Sequence, residues 1–304
     1  MTDFRRVPLK TGVTLNVATA GEPDKPAVIL LHGFPESHRT WRGIAPRLKR
    51  VFYLVMPDQR GFAGSDRPPE VDDYKSDVLV DDIFALAEAM ALEQFALVGH
   101  DWGGAIAWSA ALRNDAALTR LAIINAPHPV VFQKSLIESV EQRSASQYIN
   151  AFRAPGFEKL VEAKGFEWFF ERTFSGQVDI STIPEAERRQ YISEWLQPGA
   201  FTAMMNWYRA AKIVVPPPGV TVPLPDFLLR AFAKVRVPTL AIWGMKDTAL
   251  LPLQLNGLEE LVEDLAIERL PNAGHFAPWE AAGEVAAALT PFLAAHAEAS
   301  APRQ

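Results

Sequence analysis

The chain has 304 residues, 49% of them hydrophobic, enough to bury one large core and a subsidiary layer. Its formal net charge of −6, with no run of like charges, argues against a nucleic-acid partner, which would attract a Lys/Arg-rich face. Cysteine is absent, which removes disulfides, zinc–thiolate sites and Cys nucleophiles. No metal or cofactor is expected, and the oligomeric state is not readable. The first residues carry neither the apolar segment nor the cleavage site of a leader, and no stretch approaches a membrane span. The expectation is a soluble, cytoplasmic protein that does not enter a membrane.

Short Val/Ile/Leu runs alternate with longer helical patterns, the signature of a parallel sheet with crossover helices. Residues 4–20 read as a hairpin turned at 10–12, and residues 26–31 as a buried strand. Residues 37–49 read as helical, 51–56 as a second buried strand, and 77–91 as an amphipathic helix. A third strand spans 95–98, a helix follows to about Leu112, and a fourth strand spans 121–125. From about 127 to 226 the alternation stops. Aromatic-rich helical stretches such as 166–174 and 191–212 replace it, closed by Pro216, Pro217 and Pro218. Strands at 238–243 and 266–270 and helices at 255–261 and 280–296 resume the pattern, and residues after about Ala297 read as a frayed tail. The organisation is a doubly wound core, 1–126 and 227–304, carrying a helical insertion at 127–226.

In open α/β sheets, functional groups sit on loops past the C-terminal strand ends. Gly99-His100-Asp101-Trp102-Gly103-Gly104 has the form of a nucleophile elbow, with small residues around the reactive one and Asp in the place of Ser. Read alone, Asp101 is also compatible with an ordinary helix N-cap. A carboxylate nucleophile leaves an ester, so a base must activate water to release it. Of the six histidines, His275 follows the last strand directly and Gly274 suits a tight turn, which makes it the best base. Asp247, past the preceding strand, supplies its orienting acid, and the order nucleophile, acid, His is that of α/β-hydrolases. His38 and His296 read as solvated on surface helices, and His128 as unremarkable. His32 and His100 read as structural hydrogen-bonders in the elbow-like loops. The backbone N–H groups of Phe34 and Trp102 are the candidate oxyanion donors, and Pro35, after Gly33 and Phe34, is a candidate cis-proline. Among the tryptophans only Trp102 is forced to the site. Trp168, Trp195 and Trp207 read as packing the insertion, and Trp41, Trp108 and Trp243 the core.

His32-Gly33-Phe34-Pro35-Glu36, Asp58-Gln59-Arg60-Gly61-Phe62-Ala63-Gly64-Ser65, the 99–104 motif, Asp247 and Gly274-His275 together resemble the soluble epoxide hydrolase branch of the α/β-hydrolase superfamily. The resemblance runs over nearly the whole chain. It implies a mostly parallel eight-stranded sheet flanked by helices, with residues 127–226 as a cap. It also implies an apolar epoxide and water as substrates, and two cap tyrosines that protonate the epoxide oxygen. Tyr148 and Tyr208 resemble that pair, although both also fit amphipathic rim aromatics of a helical lid.

Other members of the superfamily share some of the same residues. Haloalkane dehalogenases resemble this chain at Asp101, Trp102 and His275, but often hold halide with an Asn where Phe34 stands. Fluoroacetate dehalogenases resemble a version with Arg where Trp102 stands. A non-catalytic small-molecule receptor shares the fold, but would not need Asp101, His275, Asp247 and both tyrosines together. A serine esterase is excluded at the elbow itself.

Overall fold

The computed structural model describes residues 3–229 and 232–300, without the side chains of 227, 229 and 296–300. Eight strands form one sheet: β1 (Asp3–Pro8), β2 (Thr14–Ala20), β3 (Ala27–Leu31), β4 (Tyr53–Pro57), β5 (Phe95–His100), β6 (Leu118–Ile124), β7 (Thr239–Gly244) and β8 (Leu265–Leu270). Their order is β1-β2-β4-β3-β5-β6-β7-β8, with β1–β2 and β2–β4 antiparallel and every other pair parallel. The central strands are apolar throughout because both faces are covered. Along β3, Ile29 and Leu31 enter the core on one face, while Val28 and Leu30 enter the core on the other. The chain steps from β3 to β4 on one side and then returns to place β5 on the other side of β3. That reversal opens a crevice past the C-terminal ends of β3 and β5, where an open sheet binds ligands.

Several helices differ from the sequence expectation. Residues 37–49 form a 3-10 turn, His38–Gly43, and a short helix, Ala45–Leu48, separated at Ile44. Pro46, at the start of the second, lacks the N–H that would continue the first. Residues 255–261 divide likewise into Pro252–Leu255 and Leu258–Leu261, with Gly257 at φ +81 between them. The 191–212 stretch is two helices, Glu185–Trp195 and Ala200–Ala210, parted at Gly199 in left-handed backbone. The C-terminal helix Ala282–Ser300 continues past the expected tail, and residues 301–304 lie outside the described residues.

Between β6 and β7 the chain forms seven α-helices, from Pro129–Glu138 to Ala200–Ala210, and no strand among the described residues. Their aromatic side chains join the core on one sheet face: Phe169, Phe170, Tyr191, Trp195 and Trp207 are buried in the same cluster as Ile29 and Val55. Trp207 Nε1 donates to the Arg60 carbonyl at 3.0 Å, so this tryptophan ties the helices to the loop after β4 and does more than pack the helices above it. Among the described residues, no helix is long and apolar enough to cross a membrane.

The helix Trp102–Ala111 packs so closely under the β3 loop that a Cβ at Gly103 would lie 2.3 Å from the Leu31 carbonyl oxygen. Alanine in a helix gains up to about 1 kcal/mol over glycine. Here the obstacle is backbone and cannot swing away, so the clash should win by several kcal/mol. Gly103→Ala should leave little soluble protein, or lower the Tm sharply in a thermal melt. Gly257→Ala meets open space at its positive φ and should cost only about 1–2 kcal/mol.

Candidate active site

Strand β5 ends at His100 and the next helix starts at Trp102, so Asp101 alone makes the turn, at φ 50 and ψ −120. Few L-residues hold that backbone without support. The support comes from the loop after β3. Gly33 lies so near that a Cβ there would stand 2.4 Å from the Asp101 Cβ. Only glycine permits the approach. It lets the Phe34 N–H donate to Asp101 Oδ1 at 2.7 Å, and the Trp102 N–H also stabilises the carboxylate. The Phe34–Pro35 peptide is cis.

His275 follows β8, with Nε2 3.6 Å from Asp101 Oδ2 and Nδ1 donating to Asp247 Oδ2 at 2.8 Å. Asp247 follows β7 and is buried. Its Oδ1 accepts the backbone N–H groups of Ala249 and Leu250 at 2.9 and 2.8 Å, and Asn125 Nδ2 donates to its Oδ2 at 2.8 Å. Two cavities, of about 250 and 530 Å³, meet at this point. Asp101, Tyr148 and Tyr208 line both. Tyr148 comes from the helix Gln147–Arg153 and Tyr208 from Ala200–Ala210, with ring centroids 6.3 Å apart. The Tyr208 ring stands edge-on to Trp102 and to Phe34, at 5.1 and 5.0 Å.

The family match to the alpha/beta hydrolase fold covers residues 26–282. The chain is 37% identical to the AB hydrolase superfamily protein YfhM of Bacillus subtilis over 78% of its own length and 79% of the relative. It is 30% identical to epoxide hydrolase A of Mycobacterium tuberculosis, over 93% and 94% of the two chains. A solved structure among novel epoxide hydrolases from metagenomes of hot environments superimposes with a TM-score of 0.88 at 42% identity, covering 96% of this chain and 99% of that one. The chain belongs to the α/β-hydrolase fold family, on its epoxide hydrolase branch.

The charges of this α/β hydrolase are set by burial and close pairing. Burial pushes the Asp101 carboxyl above its ordinary value, against the opposing pull of His275 and the two backbone donors. Burial would lower His275, but the charge and hydrogen bond of Asp247, with the Asp101 charge behind them, raise it to about 9. Burial, and then the Asp101 charge, push both tyrosine hydroxyls up, so each remains a proton donor. The arrangement therefore presents a carboxylate oxygen, an imidazole and two phenols to one cavity junction.

The remaining histidines are structural. His32 Nδ1 donates to the Gly33 carbonyl at 2.9 Å and Nε2 accepts from the Gln59 N–H at 3.0 Å, which ties the β3 loop to the β4 loop. Its pKa falls to about 4 through burial. His100 Nε2 donates to the His275 carbonyl at 2.8 Å. Two expectations need correction. His38 is not solvated: Nδ1 bonds Asp58 Oδ1 at 2.8 Å, because the bend after Ser37 turns it back onto the β4 loop. His128 is buried and caps the helix Pro129–Glu138, accepting the Val130 N–H, with its ring against Trp108. The His296 side chain lies outside the described residues.

Sequence reasoning passed over Asn125. It directly follows β6 at φ 43, a backbone region that Asn tolerates better than most residues, and this is the one local signal it carries. Its side chain accepts the Gly244 N–H at 2.9 Å while donating to Asp247, so it locks the ends of β6 and β7 together. Asp247→Asn keeps the two backbone bonds to Oδ1 and turns an amide N–H towards His275 Nδ1. The imidazole must then carry its proton on Nε2, facing Asp101, in the wrong tautomer for a base. Steady-state turnover should fall by roughly 10³–10⁴-fold, with the far-UV circular dichroism unchanged.

Proposed function

We propose that this enzyme hydrolyses epoxides to vicinal diols, with Asp101 as nucleophile, His275 as base, Asp247 as its orienting acid, and Tyr148 and Tyr208 as proton donors. The carrying observation is that a carboxylate at the elbow and two phenols from the helices above it line the same two cavities. The helices of residues 127–226 act as the lid. The names of the relatives, epoxide hydrolase A among them, support the same reading.

With Asp101 Oδ1 held by the Phe34 N–H, Oδ2 is free to attack a ring carbon. The ring C–O bond breaks and the oxygen takes a proton from a tyrosine, leaving an alkyl ester of Asp101. Tyrosine donation matters because an unassisted alkoxide is a poor leaving group, and general acids supply about a hundred- to ten-thousandfold. Esterification removes one of the negative charges that hold His275 near 9, so its proton passes to the tyrosinate. Neutral His275 then takes a proton from water as the water oxygen adds to the ester carbonyl. The N–H groups of Phe34 and Trp102 hold the oxyanion. Collapse breaks the bond from the carbonyl carbon to the alkyl oxygen. The alkoxide takes the acid proton of Asp101, and the diol leaves with carboxylate, protonated His275 and both phenols restored. Apolar walls from Phe132, Ile213 and Leu250 in one cavity and Phe152, Phe157 and Trp168 in the other suit an apolar epoxide. Halide departure needs no proton, so a dehalogenase would draw little from Tyr148 and Tyr208.

A single turnover with enzyme in excess in ¹⁸O-water should label Asp101 and leave the first diol unlabelled; label in that diol would mean direct attack by water. His275→Gln should open styrene oxide and stop as the ester, visible as an adduct of substrate mass by intact-protein mass spectrometry. In the parent, ester decay should quicken as pH rises and level off above an apparent pKa lower than 9, since the Asp101 charge is gone at that stage. Tyr148→Phe combined with Tyr208→Phe should nearly abolish alkylation by styrene oxide, read by stopped-flow tryptophan fluorescence. An unchanged rate, or a preference of the parent for a 1-haloalkane, would remove the epoxide assignment.

A further inference from the structure

Behind His275 lies a buried polar chain that the reaction does not use. The Tyr191 hydroxyl, on the helix Glu185–Trp195, donates to Glu36 Oε1 at 2.8 Å. Glu36 Oε2 stands 3.8 Å from His100 Nδ1, and His100 Nε2 donates to the His275 carbonyl at 2.8 Å. Glu36, His100 and Tyr191 are 1% exposed or less. Neither Glu36 Oε2 nor His100 Nδ1 has a direct hydrogen-bond partner, and the same holds for Thr40 Oγ1 and Trp279 Nε1, which act on the same carboxyl. Four such atoms around one carboxyl are too many for a packed interior, where nearly every buried polar group is paired.

The protonation pattern follows from these bonds. Because His100 Nε2 faces a carbonyl, it carries the ring proton, so Nδ1 is a bare acceptor. An ionised carboxylate oxygen beside that lone pair would be repelled by it. A carboxylic acid supplies the missing proton, directly after a closure of about 1 Å or through a bridging water that also takes up Thr40 and Trp279. Burial favours the same state of Glu36, against the pull of Arg42 and of the Thr40, Tyr191 and Trp279 side chains.

We infer that Glu36 is a positioning residue for His275: through His100 it fixes the backbone of the base, and through Tyr191 it couples that backbone to a helix of the lid. The inference rests on the reading of His275 as the base of ester hydrolysis. His275 is held at two points, its ring by Asp247 and its carbonyl by His100, and Glu36 sets the second. A tilt of the His275 backbone moves Nε2 relative to the ester carbonyl, and a misplacement of about 1 Å costs about a hundredfold in rate. Alkylation uses Asp101 Oδ2 and the hydroxyls of Tyr148 and Tyr208, to which the side chains of Glu36, His100 and Tyr191 make no hydrogen bond.

The test separates the two chemical steps in rapid-mixing single turnovers, following tryptophan fluorescence and the ester by quenched mass spectrometry. Glu36→Gln keeps an acceptor for Tyr191 and supplies an N–H to His100, so hydrolysis should stay within about twofold of the parent, with its pH profile unmoved. Glu36→Leu removes both bonds and should slow hydrolysis about tenfold or more, with alkylation within twofold. Tyr191→Phe removes one hydroxyl and should shift the same step by a smaller factor. It keeps the inference testable should Glu36→Leu fail to fold. Equal slowing of both steps, or unchanged hydrolysis in Glu36→Leu and Tyr191→Phe, overturns the role. So does a Glu36→Gln variant whose hydrolysis profile moves to lower pH, since that would mean an ionised Glu36. Absence of any ester in the parent would instead overturn the reading of His275 on which the inference stands.

Discussion

The close approach of the β3 loop to the turn after β5 is the constraint on which the rest of the site depends. Gly33 lies against the Asp101 Cβ, Gly103 lies under the Leu31 carbonyl, and the Phe34 N–H reaches Asp101 Oδ1. Each contact needs the others. Without the missing Cβ at Gly33 the loop would stand off, Phe34 would lose its acceptor, and Asp101 would have little reason to hold φ 50. The sheet supplies the place for this contact, because the strand order reverses between β3 and β5 and leaves their C-terminal ends facing an open crevice.

Around that contact the charges are arranged so that each group is ready for its step. Asp247 has four donors for its two oxygens, from Asn125, His275 and two backbone N–H groups, so its buried carboxylate is fully satisfied by hydrogen bonds. His275, raised to about 9, pairs with it and with Asp101. In the proposed cycle, the loss of the Asp101 charge on esterification converts His275 from a stored acid into a base. One ion pair thus times the two half-reactions, and no moving part is needed.

The helices above the sheet do two things at once. Their aromatic side chains close the core on one face, continuous with the sheet strands, and Tyr148 and Tyr208 line the same cavities as Asp101. The helix Glu185–Trp195 is tied to the loop after β3 through Tyr191–Glu36, Trp195 to the Pro35 carbonyl, and the Arg39–Glu187 ion pair. That helix and the loop that shapes the site are therefore one packed unit.

Much of the protein is legible in its sequence for local reasons. Short, mainly apolar runs bounded by turn residues read as buried strands, and their alternation with helical patterns pointed to the parallel sheet. A turn flanked by Gly99, Gly103 and Gly104 marks the elbow because its neighbours press too close for side chains. Asp247 and His275 follow their strands directly, so chain order alone pointed to both. What the sequence could not carry is whatever depends on contacts between distant segments. Residues 37–49 and 255–261 have helical periodicity, but Pro46 and Gly257 and the packing around them break the pattern into short turns. His38 reads as a surface residue until Asp58, twenty positions away, turns back to meet it. Asn125 and Tyr191 lie in no motif, and the motif that ends at Glu36 assigns it no part, since their partners lie 119, 155 and 64 residues away in the chain. Tertiary packing alone gives those three side chains their roles, because a hydrogen bond in a dry interior is decided by which distant group arrives to complete it.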